Sequence, residues 1–521
     1  MSVRPKTNRE GEAPAEPVID TSDLPEGWAI ATLLEVGAWR SGGTPSRSKP
    51  EYFGNGIPWV KSGDLPDGPI TRTEEQITPL GLNNSAAKVM PPGTICMALY
   101  GATIGKLGTM TFEAATNQAT ANLIPDKRVV DGQYVFHYLM SERQNFINLG
   151  QGGAQPNISQ EIVRNHSITL APLAEQRRIV GKLELLLGKV SSSQQRLSRV
   201  PGLLKRFRQS VLAAACSGKL TAEWREGNDD VESASELLER LQAERRKTWS
   251  SSHPNRRYQE PAPLENDDLE AIPDSWIWTN FDQCASEITV GHVGSMRDRY
   301  VDSGIAFLRS QNVRPLRFDP AGLVRIPKDF QAELTKSKLN GGEILVVRSG
   351  ANTGDCCVFP RCMPEANCAD LVITRPLSGL CAEYGAMYVA SPIGQAAIGL
   401  RQTGIAQPHF NIGAMRVKPF PLPPLSEQQE IVRRVEKLFT FADQIESRLK
   451  KAQEQVDRLT PSLLAKAFRG ELVPTEAELA RRENRSYEPA SELLARIQTE
   501  REHSGEPSKV TTKRARAATR K

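Results

Sequence analysis

The 521 residues are too many for one ordinary domain, and 39% hydrophobic with 24% charged residues places the chain in the soluble globular class. A formal charge of +5 is small for this length and neither demands nor excludes a nucleic-acid partner. Eight cysteines without framework spacing, and no apolar run near the roughly 18 residues that cross a bilayer, predict a reduced, cytoplasmic protein with no membrane segment.

Residues 1–22 are acidic and Pro-rich and read as a solvated tail, as does the basic end over 504–521. Between them the chain divides into a globular block over 23–171, a helical block over 172–222, a short helix and linker over 223–270, a second globular block over 271–422, a second helical block over 423–473 and a short helix over 474–503.

This alternation arises because the chain is written twice, at an offset of roughly 250 residues. "APLAEQRRIV" from Ala171 returns as "PPLSEQQEIV" from Pro423, and "ASELLERLQAER" from Ala234 returns as "ASELLARIQTER" from Ala490. The globular blocks match less closely but in the same order. "LPEGW" at Leu24 answers "IPDSW" at Ile272, "GIPWVKSGDL" at Gly56 answers "GIAFLRSQNV" at Gly304, and "NQATANLI" at Asn117 aligns with "NCADLVIT" at Asn367.

"GATIGK" from Gly101 looks like a phosphate loop, but its spacing is one residue short and Leu107 stands where a Ser or Thr would reach magnesium. Its second copy, "GANTGD" from Gly350, places Asp355 at the lysine position, where a carboxylate would repel phosphate. The glycines therefore predict a tight turn after the apolar strands "GTICMAL" and "GEILVVR".

Each helical block carries a seam of the coiled-coil type. In the first it runs Ile179, Leu183, Leu186, Val190, Ser193, Leu197, Val200, Leu204 and Phe207. In the second it runs Ile431, Val435, Leu438, Ala442, Ile445, Leu449, Ala452, Val456 and Leu459. Pro201 with Gly202 predicts a break in the first helix, and Pro461 a break in the second. About 40 residues of helix span roughly 60 Å, so the economical arrangement is two antiparallel helices with one globular block at each end. Two similar modules on a rigid spacer suit a long periodic ligand such as double-stranded DNA, whose groove faces recur about every 34 Å. Because the modules differ in sequence, each would read a different short word.

No catalytic constellation is apparent. Neither an Asn-Pro-Pro-aromatic nor an Asp-Pro-Pro-aromatic sequence is present, the six histidines are scattered, and Cys356, Cys357, Cys362 and Cys368 lack zinc spacing. The cysteines read as small buried hydrophobes.

The duplicated "PLxEQxxIV" helix, with "LPEGW" and "IPDSW" at the module starts and "GATIGK" and "GANTGD" within them, resembles the specificity (S) subunit of type I restriction-modification systems over roughly Leu24 to Arg501. The resemblance implies an α+β fold in which two target-recognition domains of mixed α/β type are joined by two long antiparallel coiled-coil-like helices, as a pseudo-twofold internal repeat. It further implies a non-catalytic subunit that reads an asymmetric bipartite site in double-stranded DNA and docks two methyltransferase (M) subunits and restriction (R) subunits. Adenine methylation and ATP-dependent cleavage would belong to that assembly. S-adenosylmethionine, ATP and magnesium would be held by the partners, with no cofactor or metal in this chain. The specificity subunit of a type II system with a fused methyltransferase-nuclease would read alike. A coiled-coil protein scaffold is the rival from another class and predicts no sequence preference on DNA.

Candidate base readers follow from the pairing of Arg or Lys with guanine and Asn or Gln with adenine. In the first module they are Lys61, Ser62, Lys106, Gln118, Gln151, Gln155 and Asn157; in the second they are Arg309, Gln311, Asn312, Arg348, Asn352, Gln402, Gln407 and His409. Arg40, Arg47 and Arg297 are candidates for phosphate contact. The candidate partner-docking faces of the helices hold Glu175, Gln176, Ile179, Leu183 and Leu186, and Glu427, Gln428, Ile431, Val435 and Leu438.

Overall fold

The structure, a computed structural model, describes residues 24–150, 157–228, 230–264, 269–397 and 410–503. Both tails read as solvated above lie outside the described residues. The principal helices are α1 (Gly132–Ser141), α2 (Leu173–Leu197), α3 (Val200–Cys216), α4 (Ala234–Ser252), α5 (Ala382–Ala390), α6 (Leu425–Phe468), α7 (Glu476–Glu483) and α8 (Ala490–His503). Contacts divide the chain into two units, one of Met1–Leu197 with Ala452–Lys521 and the other of Ser198–Lys451. Each unit contains one globular module and a stretch of both helical blocks.

The first helical block is broken where expected. Between α2 and α3 lie Ser198 and Arg199, and Pro201 falls in the first turn of α3, where its missing N–H would have had no partner anyway. The second block contradicts its expectation, because α6 runs unbroken for 44 residues with Pro461 inside it. Proline forfeits one backbone bond and presses on the preceding turn. Past Pro461, the side chains of Leu464, Ala467 and Phe468 are buried in the core of the first unit, and this packing carries the helix through the defect.

In the first unit α2 and the end of α6 are antiparallel. Ile179 and Leu183 share a core with Leu464, Ala467 and Phe468, and Gln194 donates to Asp457 at 3.0 Å. In the second unit α3 and the start of α6 pair in the same sense: Arg208 meets Asp443 at 2.6 Å, and Arg434 donates to the carbonyl of Leu220 at 2.9 Å. The predicted seams are buried at Ile179, Leu183, Val190, Leu204, Ile431, Val435, Ala442 and Leu449, while Phe207 and Leu459 are exposed.

The short helices pack far from their neighbours in sequence. Helix α8 buries Ala490, Leu493 and Ile497 in the core of the first unit, and Arg501 reaches the carbonyl of Glu35 at 3.1 Å. Its repeat, α4, buries Leu237 and Leu241 in the core of the second unit, and Arg245 meets Asp282 at 3.1 Å.

Both modules are of mixed α/β type, as the expected α+β class requires. The first holds a five-stranded sheet, in the order Gly37–Ser41, Thr120–Pro125, Ile95–Ala98, Leu107–Met110 and Gly68–Ile70. Beside it is a three-stranded sheet of Glu75–Ile77, Phe53–Val60 and Ala115–Thr116. The second holds two four-stranded sheets, one ordered Ala285–Val290, Leu371–Pro376, Ile344–Val347, Cys356–Val358, and one ordered Val324–Ile326, Ile305–Leu308, Ala366–Cys368, Lys338–Leu339. The apolar strands Ile95–Ala98 and Ile344–Val347 are buried at every position, which explains their continuous hydrophobic runs.

Each module is closed onto its helix by a two-stranded antiparallel pair. Ala29 lies opposite Leu170 in the first and Ile277 opposite Leu422 in the second. Tyr134 on α1 donates to the carbonyl of Thr169 at 2.8 Å, and Tyr384 on α5 donates to that of Pro421 at 2.9 Å. The same fastening is thus built twice from matching residues.

Candidate nucleic-acid interface

In both modules the same backbone bonds gather the same loops. In the first, Gly43 N–H donates to Thr116 at 2.8 Å, Asn117 N–H to Val60 at 3.0 Å, and Ile158 N–H to Leu99 at 3.0 Å. In the second, His292 N–H donates to Cys368 at 2.8 Å, Ala369 N–H to Leu308 at 3.0 Å, and Phe410 N–H to Arg348 at 3.1 Å. Each set draws five segments to one end of the strands: the loop after the first sheet strand, the turn after the parallel strand, the glycine hairpin, the loop after the short parallel partner and the stretch at Ile158 or Phe410.

These bonds also correct the alignment of "NQATANLI". The parallel ladders set Thr116 opposite Val60 and Cys368 opposite Leu308, so Asn117 matches Ala369, not Asn367. The first module has one more residue in the loop that follows. Asn367 is instead buried and donates to Gln331 at 2.9 Å.

The glycine pattern is a turn in both copies. Gly101 and Gly105 have φ of 64° and 76°, Gly350 and Gly354 have φ of 91° and 89°, and each pair reverses the chain between two strands. Only glycine enters this region of φ at no steric cost.

Of the predicted readers in the first module, Lys106 and Asn157 are exposed on the hairpin and on the strand bridge beside Tyr100. Gln118 is exposed, and its side-chain oxygen accepts from Thr44. Lys61 is half-buried and committed to Glu75 at 2.9 Å and Glu74 at 3.1 Å; these hydrogen bonds hold its pKa above the usual lysine value. Ser62 begins the short turn Ser62–Asp64 and is only partly exposed. Gln151 and Gln155 lie outside the described residues, as do Gln402, Gln407 and His409.

In the second module Gln311 and Asn352 are exposed on the corresponding turns. Arg309 donates to the carbonyl of Gly322 at 3.0 Å and covers the ring of Tyr300 at 5.8 Å. Arg348 stands 3.5 Å from Asp370. Asn312 is no reader: it is fully buried, donates to the carbonyls of Asp319 at 2.9 Å and Ala321 at 3.1 Å, and accepts from Arg309 N–H. Its counterpart Asp64 accepts Lys61 N–H at 2.9 Å, so this position closes the turn in both modules. Arg40 and Arg297 are exposed, whereas Arg47 is held by Glu75 at 2.7 Å over the ring of Phe53. Sequence reasoning missed Tyr100, Tyr300 and Asp370, which border the same loops.

The helix residues expected to meet partners are mostly turned inward. Glu175 accepts from the Trp28 indole at 2.9 Å and from Glu476 N–H at 2.7 Å, while Gln176 accepts Asp131 N–H at 2.8 Å and donates to the carbonyl of Ala171 at 2.8 Å. Glu427 accepts from Trp276 at 2.8 Å, and Gln428 accepts Cys381 N–H at 2.8 Å and donates to Pro423 at 3.0 Å. These four side chains, with Ile179, Leu183, Ile431 and Val435, are buried within the chain, and Leu186 and Leu438 are partly buried. The duplicated Glu-Gln is therefore the fastening of each module to its own helix. Burial pushes the Glu175 carboxyl above its ordinary pKa despite its two donors.

Among the described residues no cluster of His, Cys, Asp or Glu could hold a metal, and no helix is long and apolar enough to cross a membrane. Cys356, Cys357 and Cys368 are buried apart from the exposed Cys362, and burial pushes the Cys357 thiol up to about 12.

Residues 25–201 and 325–455 match the type I restriction modification DNA specificity domain. The chain belongs to the type I restriction-modification DNA specificity family. It is 28% identical over 507 residues to the EcoKI specificity subunit of Escherichia coli strain K12, covering 92% of this chain and 97% of that protein. It is 31% identical over 363 residues to the EcoBI specificity subunit of Escherichia coli, covering 67% of each. The fold is that of the HsdS subunit from Thermoanaerobacter tengcongensis, with a TM-score of 0.52 at 18% identity over 86% of this chain and 98% of that one. A chain solved in a study of complex assembly and conformational transition of the type I R-M system aligns with a TM-score of 0.58 at 18% identity, over 86% of this chain and 99% of that one. The specificity protein thus carries two modules of one plan, and its function is DNA target recognition.

Proposed function

We propose that the loop end of each module is the surface that reads bases, the first module one half of an interrupted site and the second the other. The observation that carries this reading is the pair of loop ends built by matching backbone bonds but furnished with different side chains: Lys106, Gln118 and Asn157 in one, and Gln311, Arg348 and Asn352 in the other. One scaffold with two sets of polar tips is what two different words require. Arg40 and Arg297 would fix register on phosphates, and Gln151, Gln155, Gln402, Gln407 and His409 remain candidates. Lys61, Ser62 and Arg309 would act mainly by shaping the turns.

Two methyltransferase subunits would dock on helix faces still open after the internal packing. Leu185 and Leu459 in the first unit and Leu203, Phe207 and Phe441 in the second are exposed apolar side chains suited to that role. Those partners would hold S-adenosylmethionine and methylate adenine, restriction subunits would add ATP- and magnesium-dependent cleavage, and the whole would work in the cytoplasm. Sequencing of methylated adenines in cells with and without the gene tests this. Loss of one bipartite asymmetric motif is the expected result, and an unchanged methylome from cells with an active methyltransferase partner overturns it.

A further inference from the structure

The second module carries a carboxylate among its reading loops. Asp370 follows Ala369, the residue bonded to the end of the parallel strand, and it has φ of 57°, in the left-handed region that non-glycine residues rarely adopt. Ser349 donates its hydroxyl to the carboxylate at 2.6 Å, and Arg348 lies 3.5 Å away. Both belong to the strand end and glycine hairpin that form the candidate reading surface. The side chain remains 48% exposed, so these neighbours orient it without covering it. In the first module the residue after the corresponding backbone bond is Gln118. Directly after that bond, then, one module offers an amide and the other an acceptor-only group, in loops that differ by one residue in length.

A carboxylate facing DNA is repelled by phosphates, and in the major groove also by guanine N7 and O6 and by thymine O4. Adenine offers an amine, but its N7 acceptor stands beside it. Cytosine alone presents an amine donor with no adjacent acceptor. We propose that Asp370 is a base-specifying residue of the second module, accepting a hydrogen bond from the N4 amine of a cytosine, with Ser349 and Arg348 holding it in position. This rests on the loop end being the reading surface.

The test is selection of bound sequences from a randomised duplex library by the complete complex with its methyltransferase partners. It compares the wild type with D370G, D370N and the neighbouring N352A. Glycine and asparagine both accept φ near 57°, so either variant removes the charge without straining the turn. The expected result is that D370G lowers the preference for cytosine at one position of the second word by roughly tenfold or more. D370N should move that position toward adenine, with the first word and the gap unchanged. If N352A alters the second word and neither Asp370 variant does, Asp370 is only a brace for the hairpin and the proposal falls while the reading surface stands. If none of the three alters the word, both fall.

Discussion

The indole of Trp28 donates to the carboxylate of Glu175 across a buried 2.9 Å contact, joining the first residues of a module to the first turn of the helix that leaves it. The same carboxylate accepts the N–H of Glu476 at 2.7 Å, at the start of α7. One side chain thus ties together three stretches of the chain. Trp276 and Glu427 repeat the contact in the second unit at 2.8 Å, with Thr221 as a further donor at 2.6 Å. Sharing a buried acidic group among several donors is how a charge becomes tolerable in a core.

Trp28→Phe keeps one aromatic ring but removes the donor and part of the buried indole's volume. It leaves Glu175 buried with one bond fewer, which costs about 1–3 kcal/mol. Denaturant unfolding should show that loss, and hydrogen exchange should confine it to the first unit. Trp276→Phe should act on the second. A loss spread equally over both units by either variant would mean that the fastening is not local.

The doubled plan, the helical seams and the break before Pro201 were legible because they rest on periodicity and on proline chemistry, both local. The continuity of α6 was not, since it depends on the packing of Leu464, Ala467 and Phe468 beyond Pro461. The role of Glu175 and Gln176 was misread for a related reason. Polar residues at the start of an amphipathic helix look like surface, and only the fold brings Trp28, Asp131 and Glu476 onto them. The hairpins at Gly101 and Gly350 were legible from their glycines, which take a positive φ in both copies. The burial of Asn312 and the left-handed backbone of Asp370 leave no mark in sequence, because both are set by contacts with distant segments.

Helix α8 lies at the end of the described chain yet supplies core to the first module, with Leu493 and Ile497 only 3% and 1% exposed. Leu493→Ala or Ile497→Ala should cost about 2–5 kcal/mol. The increased hydrogen exchange should appear in α1, α2 and the strands of the first module. In the repeat, Leu237→Ala should loosen the second module instead. Equal protection of the first module before and after Leu493→Ala would show that α8 contributes nothing to its core.

Pro461→Ala restores a backbone donor in the interior of α6. Interior proline costs about 3 kcal/mol or more in an unconstrained helix. Part of that is already relaxed by local adjustment, so the expected gain is about 1–2 kcal/mol. It should be visible as a higher unfolding midpoint with an unchanged target sequence. Pro201→Ala should gain far less, because Pro201 sits in a first turn where its N–H has no helical partner. Equal gains from the two would contradict the placement of Pro461 within a continuous helix.

Asp126 makes the attachment of α8 sensitive to acid. Its carboxylate accepts from Arg501 of α8 at 2.8 Å and from Arg128 at 2.7 Å. Burial pushes its pKa up, but hydrogen bonds from Arg128 and Arg501 outweigh that and hold it well below the usual 3.8. The folded state therefore binds this proton less readily than the unfolded chain. The stability it contributes is fully present above the unfolded value and drains away as pH falls below about 4 toward the folded value. Hydrogen exchange in α8 should accelerate over that interval in the wild type. Asp126→Asn should loosen α8 at neutral pH and flatten the acid response, because the titrating group is gone. Arg501→Ala should give a weaker acid response than the wild type, since Arg128 still holds the carboxylate down. If Asp126→Asn kept the wild-type acid dependence, another carboxylate would have to govern the attachment of α8.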